Sequence, residues 1–98
     1  MIIYSVEISV KKDIHQEWVN WMRETHIPDV MQTNLFLEFK FFKNLNSKQL
    51  TYTIQYRLQN MKNYLKYIDR FADGLQKDHN QKFKNKFSAK REILTILD

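Results

Sequence analysis

The sequence predicts an α+β fold class, a four-stranded antiparallel sheet with both helices on one face. Three observations lead there. Two stretches alternate apolar and polar side chains. Two longer ones repeat apolar side chains at steps of three and four. All of this follows the order β-α-β-β-α-β within 98 residues.

The first strand is read from Ile2, Tyr4, Val6, Ile8 and Val10, which alternate with Ser5, Glu7 and Ser9. Asp13 is placed to cap the first helix, on which Ile14, Trp18, Trp21, Met22 and Thr25 fall on one face. Pro28 predicts a stop or kink near His26 and Ile27, with a further turn through Met31 and an exit at Thr33 and Asn34. Leu37, Phe39 and Phe41 alternate with Glu38 and Lys40 as a second strand, and residues 44–48 form a polar hairpin turn. Leu50, Tyr52, Ile54, Tyr56 and Leu58 mark the third strand. Asn60 caps a second helix with a stripe of Met61, Leu65, Ile68, Ala72, Leu75, His79 and Phe83, which Gly74 is expected to break in two. Residues 89–97, with Ile93, Leu94, Ile96 and Leu97, read as the fourth strand.

This order is that of a ferredoxin-like split βαβ arrangement, a single domain over residues 1–98. Two helices cover one face of the sheet, which leaves Ser5, Glu7, Ser9, Thr53, Gln55 and Arg57 on the other. That face is polar without being uniformly charged. A homodimer pairing sheet against sheet, with Glu7 opposite Arg57, suits it better than RNA, because the third strand, LTYTIQYR, lacks the glycine-containing motif of RNA-recognition domains.

Composition removes several classes of function. One glycine and one proline leave no GxGxxG, P-loop or nucleophile elbow. With no cysteine there is no disulfide, thiolate zinc site or cysteine nucleophile, and a reducing, cytoplasmic setting fits. The chain shows no secretion signal and no run of the roughly 20 apolar residues that a membrane span needs. The net charge of +5 is uneven: residues 1–39 hold three Lys/Arg against six Asp/Glu, whereas residues 60–91 hold nine against three. Lys outnumbers Arg twelve to four, which fits a solvated face better than a nucleic-acid reader.

At MIIYSVEI, EWVNWMRETHIPDVMQT, TYTIQYR and DHNQKFKNKF the chain resembles a domain-of-unknown-function family of short bacterial proteins in the dimeric α+β-barrel superfamily. The most specific part is the string from Trp18 and Trp21 through Met22, His26, Ile27, Pro28, Asp29 and Val30. It departs at Ala72, Asp73 and Gly74, where the family carries a proline near the helix break. The resemblance implies the ferredoxin-like fold and a dimer but no established reaction. The superfamily includes cofactor-free monooxygenases, muconolactone-isomerase-like enzymes, haem-handling proteins and ligand-binding modules, and it implies a cavity between helices and sheet.

Trp18, Trp21, His26, Tyr52, Tyr56 and His79 are the side chains expected to line such a cavity; as bulky aromatics they equally well fill a core. His79 and His26 are the candidate catalytic bases. The structural alternatives are a hydrogen-bonded core histidine and a helix-end cap, respectively. No HxxxH or HExxH spacing occurs, and His15 and His26 stand about 16 Å apart along a helix, so no metal site and no cofactor are expected. The leading reading is a homodimeric protein that binds a small apolar or aromatic ligand. The alternatives are a cofactor-independent monooxygenase or isomerase, in which a histidine works beside Tyr52 or Tyr56, and an anion or nucleic-acid binder using Lys62, Lys66, Lys82, Lys84, Lys86 and Lys90.

Overall fold

The computed structural model describes residues 1–98. Strands β1 (Ile2–Val10), β2 (Glu38–Lys43), β3 (Leu50–Leu58) and β4 (Phe87–Thr95) form one sheet in the order β2-β3-β1-β4, every neighbouring pair antiparallel. Helices α1 (residues 15–31) and α2 (residues 61–82) make the two crossovers. This is the ferredoxin-like topology.

Period-two alternation sends Tyr4, Val6, Ile8 and Val10 of β1 and Tyr52, Ile54, Tyr56 and Leu58 of β3 toward the helices, where all eight are buried. The helices return Trp18, Met22, Ile27 and Val30 from α1 and Tyr67 and Ala72 from α2, completed by Phe36 and Phe83. Strand β4 begins at Phe87 and ends at Thr95, two residues earlier at each end than the apolar pattern suggests. Its limits follow its partner: Val10 pairs with Phe87 and Ile2 with Thr95.

Each helix contains one widened π turn that inserts a residue into the apolar repeat. In α1 it spans Met22–His26, and the Ile27 N–H donates to the Met22 carbonyl five residues back. Pro28 supplies the reason: it has no N–H to offer, and its ring crowds the carbonyl four residues earlier. The helix therefore widens near His26 and continues through Ile27–Met31. The inward step from Met22 is five, to Ile27, so Thr25 is exposed rather than on the apolar face. At the exit the Thr33 hydroxyl donates to the Val30 carbonyl at 2.8 Å, and Asn34 takes a left-handed φ of 63°.

In α2 the π turn spans Ile68–Ala72. Tyr64 and Tyr67 face the core, and the next inward residue, Ala72, again lies five positions beyond Tyr67. The expected stripe keeps to steps of three and four and so runs out of phase before the turn: Met61, Leu65 and Ile68 are 43, 59 and 40 % exposed. Past the turn Leu75, His79 and Phe83 do face inward. Gly74 does not break the helix. It lies within the regular segment Asp73–Lys82, its φ is not positive, and a Cβ there would meet nothing within 4 Å.

The caps divide. Asn60 Oδ1 accepts from the Asn63 N–H at 2.9 Å, as expected. Asp13 caps nothing. It lies in a short 3₁₀ turn, Lys12–Ile14, and accepts from Lys86 Nζ at 2.6 Å, which holds its carboxyl below the usual carboxylate range.

Candidate functional site

Antiparallel packing of α1 against the C-terminal half of α2 brings Trp18, Trp21, His26 and His79 together. Trp18 Nε1–H donates to His79 Nε2 at 2.9 Å in the interior. In the neutral ring this fixes the tautomer, with the lone pair on Nε2 occupied and the proton on Nδ1. His79 stacks on Phe87 at 3.9 Å and lies parallel to Trp21, 10° apart at 5.4 Å. His26 stacks on Trp21 at 5.0 Å and stands 5.4 Å from His79.

Burial pushes His79 down to about 3, with His26 and Arg91 adding repulsion against a second positive charge. Burial likewise takes His26 down to about 4, opposed by the carboxylates of Asp29 and Asp78 and assisted by Arg91. Both imidazoles are therefore neutral at pH 7. No third His, Cys, Asp or Glu converges with them into a group that could hold a metal ion.

The two tyrosines separate. Tyr52 joins the cluster, 5.2 Å from Trp18, and its hydroxyl hydrogen-bonds His15 Nε2. Tyr56 packs deeper, between Phe36 at 5.2 Å and Tyr4 at 6.0 Å. Between sheet and helices lies a cavity of about 20 Å³, bordered by His26, His79, Tyr56 and also by Tyr4, Tyr67, Gln76 and Arg91. That is room for one water and far below the roughly 300 Å³ of a small-molecule pocket. Tyr4, Tyr56 and Tyr67 all have their phenol pKa raised by burial. At Tyr4 the nearby Arg91 guanidinium opposes this and pulls the value back down. On the outer side of His26 a groove of about 400 Å³ runs between the helices, bordered by Trp21, Asp29, Asp78 and Lys82. His26 is the wall between cavity and groove.

Tyr4, Tyr67, Gln76 and Arg91 are absent from the sequence-based set. Tyr4 sits at an apolar position of β1, so alternation assigns it to the core; Tyr67 lies off the stripe read for the second helix and faces inward because the π turn at Ile68–Ala72 shifts the helix phase. Arg91 sits on the inner face of β4, paired with Val6 across the ladder, and only its odd parity within the strand marks it. The six lysines of the basic C-terminal half do not form one surface. Lys62 and Lys66 lie at the start of α2, Lys82 faces Glu17 at 3.9 Å, Lys86 is bound to Asp13, and Lys90 lies on the opposite sheet face across from Glu7.

Residues 1–97 match the family model described as a domain of unknown function, DUF4286. The chain belongs to the DUF4286 family. No curated protein matches this DUF4286 chain. Its fold is similar to that of a dimeric ferredoxin-like protein from an uncultured marine organism (TM-score 0.74, 10 % identity, covering 100 % of this chain and 96 % of that one). It is also similar to SnoaB, a cofactor-independent oxygenase from Streptomyces nogalater (TM-score 0.73, 7 % identity, 99 % and 93 %). A third similar structure is an ethyl tert-butyl ether d family protein from Bacillus halodurans (TM-score 0.68, 13 % identity, 99 % and 100 %). At these identities the likeness concerns the fold. No helix of the DUF4286 chain is long and apolar enough to cross a membrane.

Proposed function

We propose that this DUF4286 protein is a homodimeric binding protein of a reducing compartment, the cytoplasm. In this reading a compact aromatic or apolar molecule with one hydrogen-bonding group enters between helices and sheet past Trp21 and His26. The supporting observation is the ring of polar groups on the interior cavity. Buried Tyr4, Tyr67 and His79 converge there with half-buried His26 and Gln76 and with Arg91, which reaches in from the exposed edge strand β4. At about 20 Å³ the cavity is too small for such a molecule, so binding requires the His26 wall to part and join it to the outer groove.

Binding is favoured over proton-transfer catalysis by the state of the histidines. The Nε2 lone pair of His79 is taken by Trp18, and a base with a pKa of about 3 or 4 is weakly matched to chemistry near pH 7. The fold shared with a cofactor-independent oxygenase keeps an isomerase or monooxygenase as the second reading.

The dimer reading rests on the outer sheet face. Ladder parity places Glu7, Glu38 and Glu92 there with Lys40, Arg57 and Lys90, a balanced and self-complementary set. Arg57 reaches Glu38 at 3.5 Å with Nη2, while its buried Nε has no partner within the chain, and a second copy can offer Glu7 to it. A similar fold occurs in a dimeric protein.

Titration with naphthol, followed through Trp18 and Trp21 emission, tests the binding reading. Saturable quenching that weakens about tenfold in Arg91→Ala is expected; absence of saturation up to the solubility limit overturns it. Light scattering tests the dimer: the wild type is expected at twice the chain mass, Arg57→Glu at the monomer mass, and Glu7→Lys/Arg57→Glu back at the dimer. A monomeric wild type at micromolar concentration refutes that part.

A further inference from the structure

The largest concavity of the molecule is at the other end of the sheet from the start of α2. Three connections meet there: the β1–α1 turn, the β2–β3 hairpin and the α2–β4 turn. They border an open cleft of about 670 Å³. We propose that this cleft binds a compact polyanion carrying two or three negative charges, of the di- or triphosphate or tricarboxylate kind.

Its border carries Lys11, Lys12, Lys48 and Lys86. The carboxylate of Asp13 engages Lys86 at 2.6 Å, which leaves three ammonium groups around the opening for a ligand. Sequence separation hides this grouping, since Lys11 and Lys12 follow β1, Lys48 lies in the hairpin, and Lys86 precedes β4.

The cleft is held in shape by bonds among its three loops. The Lys11 N–H donates to the Lys86 carbonyl at 2.9 Å and joins the first turn to the third. Buried Thr51 is hydrogen-bonded to Ser9 at 2.8 Å and to Ser47 at 2.9 Å, which joins the hairpin to β1. His15, on the border, is anchored to the Tyr52 hydroxyl. Lysines carried on a braced frame lose less freedom on binding than lysines on mobile loops.

A small anion fits better than a nucleic acid. The border holds no arginine, and its one ring carbocycle, Phe87, is stacked against His79 rather than open to a base. A space of this size is that of a small-molecule site.

The test is titration of the full chain with inorganic pyrophosphate and, separately, with citrate at low salt, read by backbone amide and His15 ring resonances. The two arms distinguish phosphate from carboxylate chemistry. Expected are saturable shifts centred on Lys11, Lys12, Lys48 and His15 for at least one anion. Affinity should fall about tenfold in Lys12→Gln/Lys48→Gln and change less than about twofold in Lys62→Gln/Lys66→Gln, which removes the same charge at the far end of the molecule. Equal weakening by both double variants reduces the effect to net charge and overturns the proposal. So does the absence of saturation by either anion at about 10 mM. Neither result bears on naphthol binding at the interior cavity.

Discussion

Acidification from pH 7.5 to pH 5 should destabilise the protein through His26 and His79. The folded chain holds these imidazoles at about 4 and about 3, whereas in the unfolded chain both return to the ordinary value near 6.5. Below that value the unfolded state binds protons that the folded state refuses, so stability is full above pH 6.5. It falls as pH drops toward the folded values. At pH 5, protonation favours the unfolded chain by about 2 kcal/mol per histidine, or about 4 kcal/mol for the pair. Against a typical domain stability of about 5–15 kcal/mol, that is a large share. Asp29 and Asp78 pull His26 the other way and Arg91 reinforces the depression, and both influences are already contained in the value of about 4. Urea unfolding at half-unit pH steps measures the effect, and His26→Gln should remove about half of the slope. A urea midpoint that stays constant between pH 7.5 and pH 5, or imidazole resonances that titrate near 6.5, would refute the burial argument.

Three further substitutions probe the framework. Trp18→Phe deletes the donor to His79 Nε2 and part of a fully buried ring. It should cost about 2–4 kcal/mol in urea unfolding and, by freeing the lone pair, raise the His79 pKa seen by NMR. Gly74→Ala should stabilise by up to about 1 kcal/mol in thermal unfolding, since the position is helical interior with open space for a methyl group; a loss of stability would show that the helix needs a flexible point there. Asn60→Ala removes the hydrogen bond to the Asn63 N–H and should cost about 1 kcal/mol, visible as a lowered denaturation midpoint, whereas Asn60→Asp should retain most of the stability.

By itself the sequence determined the sheet and its order. Alternation at Tyr4, Val6, Ile8 and at Tyr52, Ile54, Tyr56 is a local property of extended chain, and nothing in the tertiary structure disturbs it. It also carried the Asn60 cap and an irregularity near Pro28, read as a stop or kink and found as a widened turn within a continuing helix; the two arise from a side chain and a missing N–H, each acting within one turn. Helix phase beyond those turns was a tertiary matter. One extra residue at Ile68–Ala72 rotates everything before it, so Tyr64 and Tyr67 take the core while Leu65 and Ile68 face outward, and a strict 3.6-residue repeat carries no sign of it. The same holds for the sites. Trp18 and His79 stand 61 positions apart, and Lys11 lies far along the chain from Lys48 and Lys86. Their meeting depends on how the helices cross and where the loops end, because the shared water-excluded space and summed charge exist only once the sheet has brought its strand ends together.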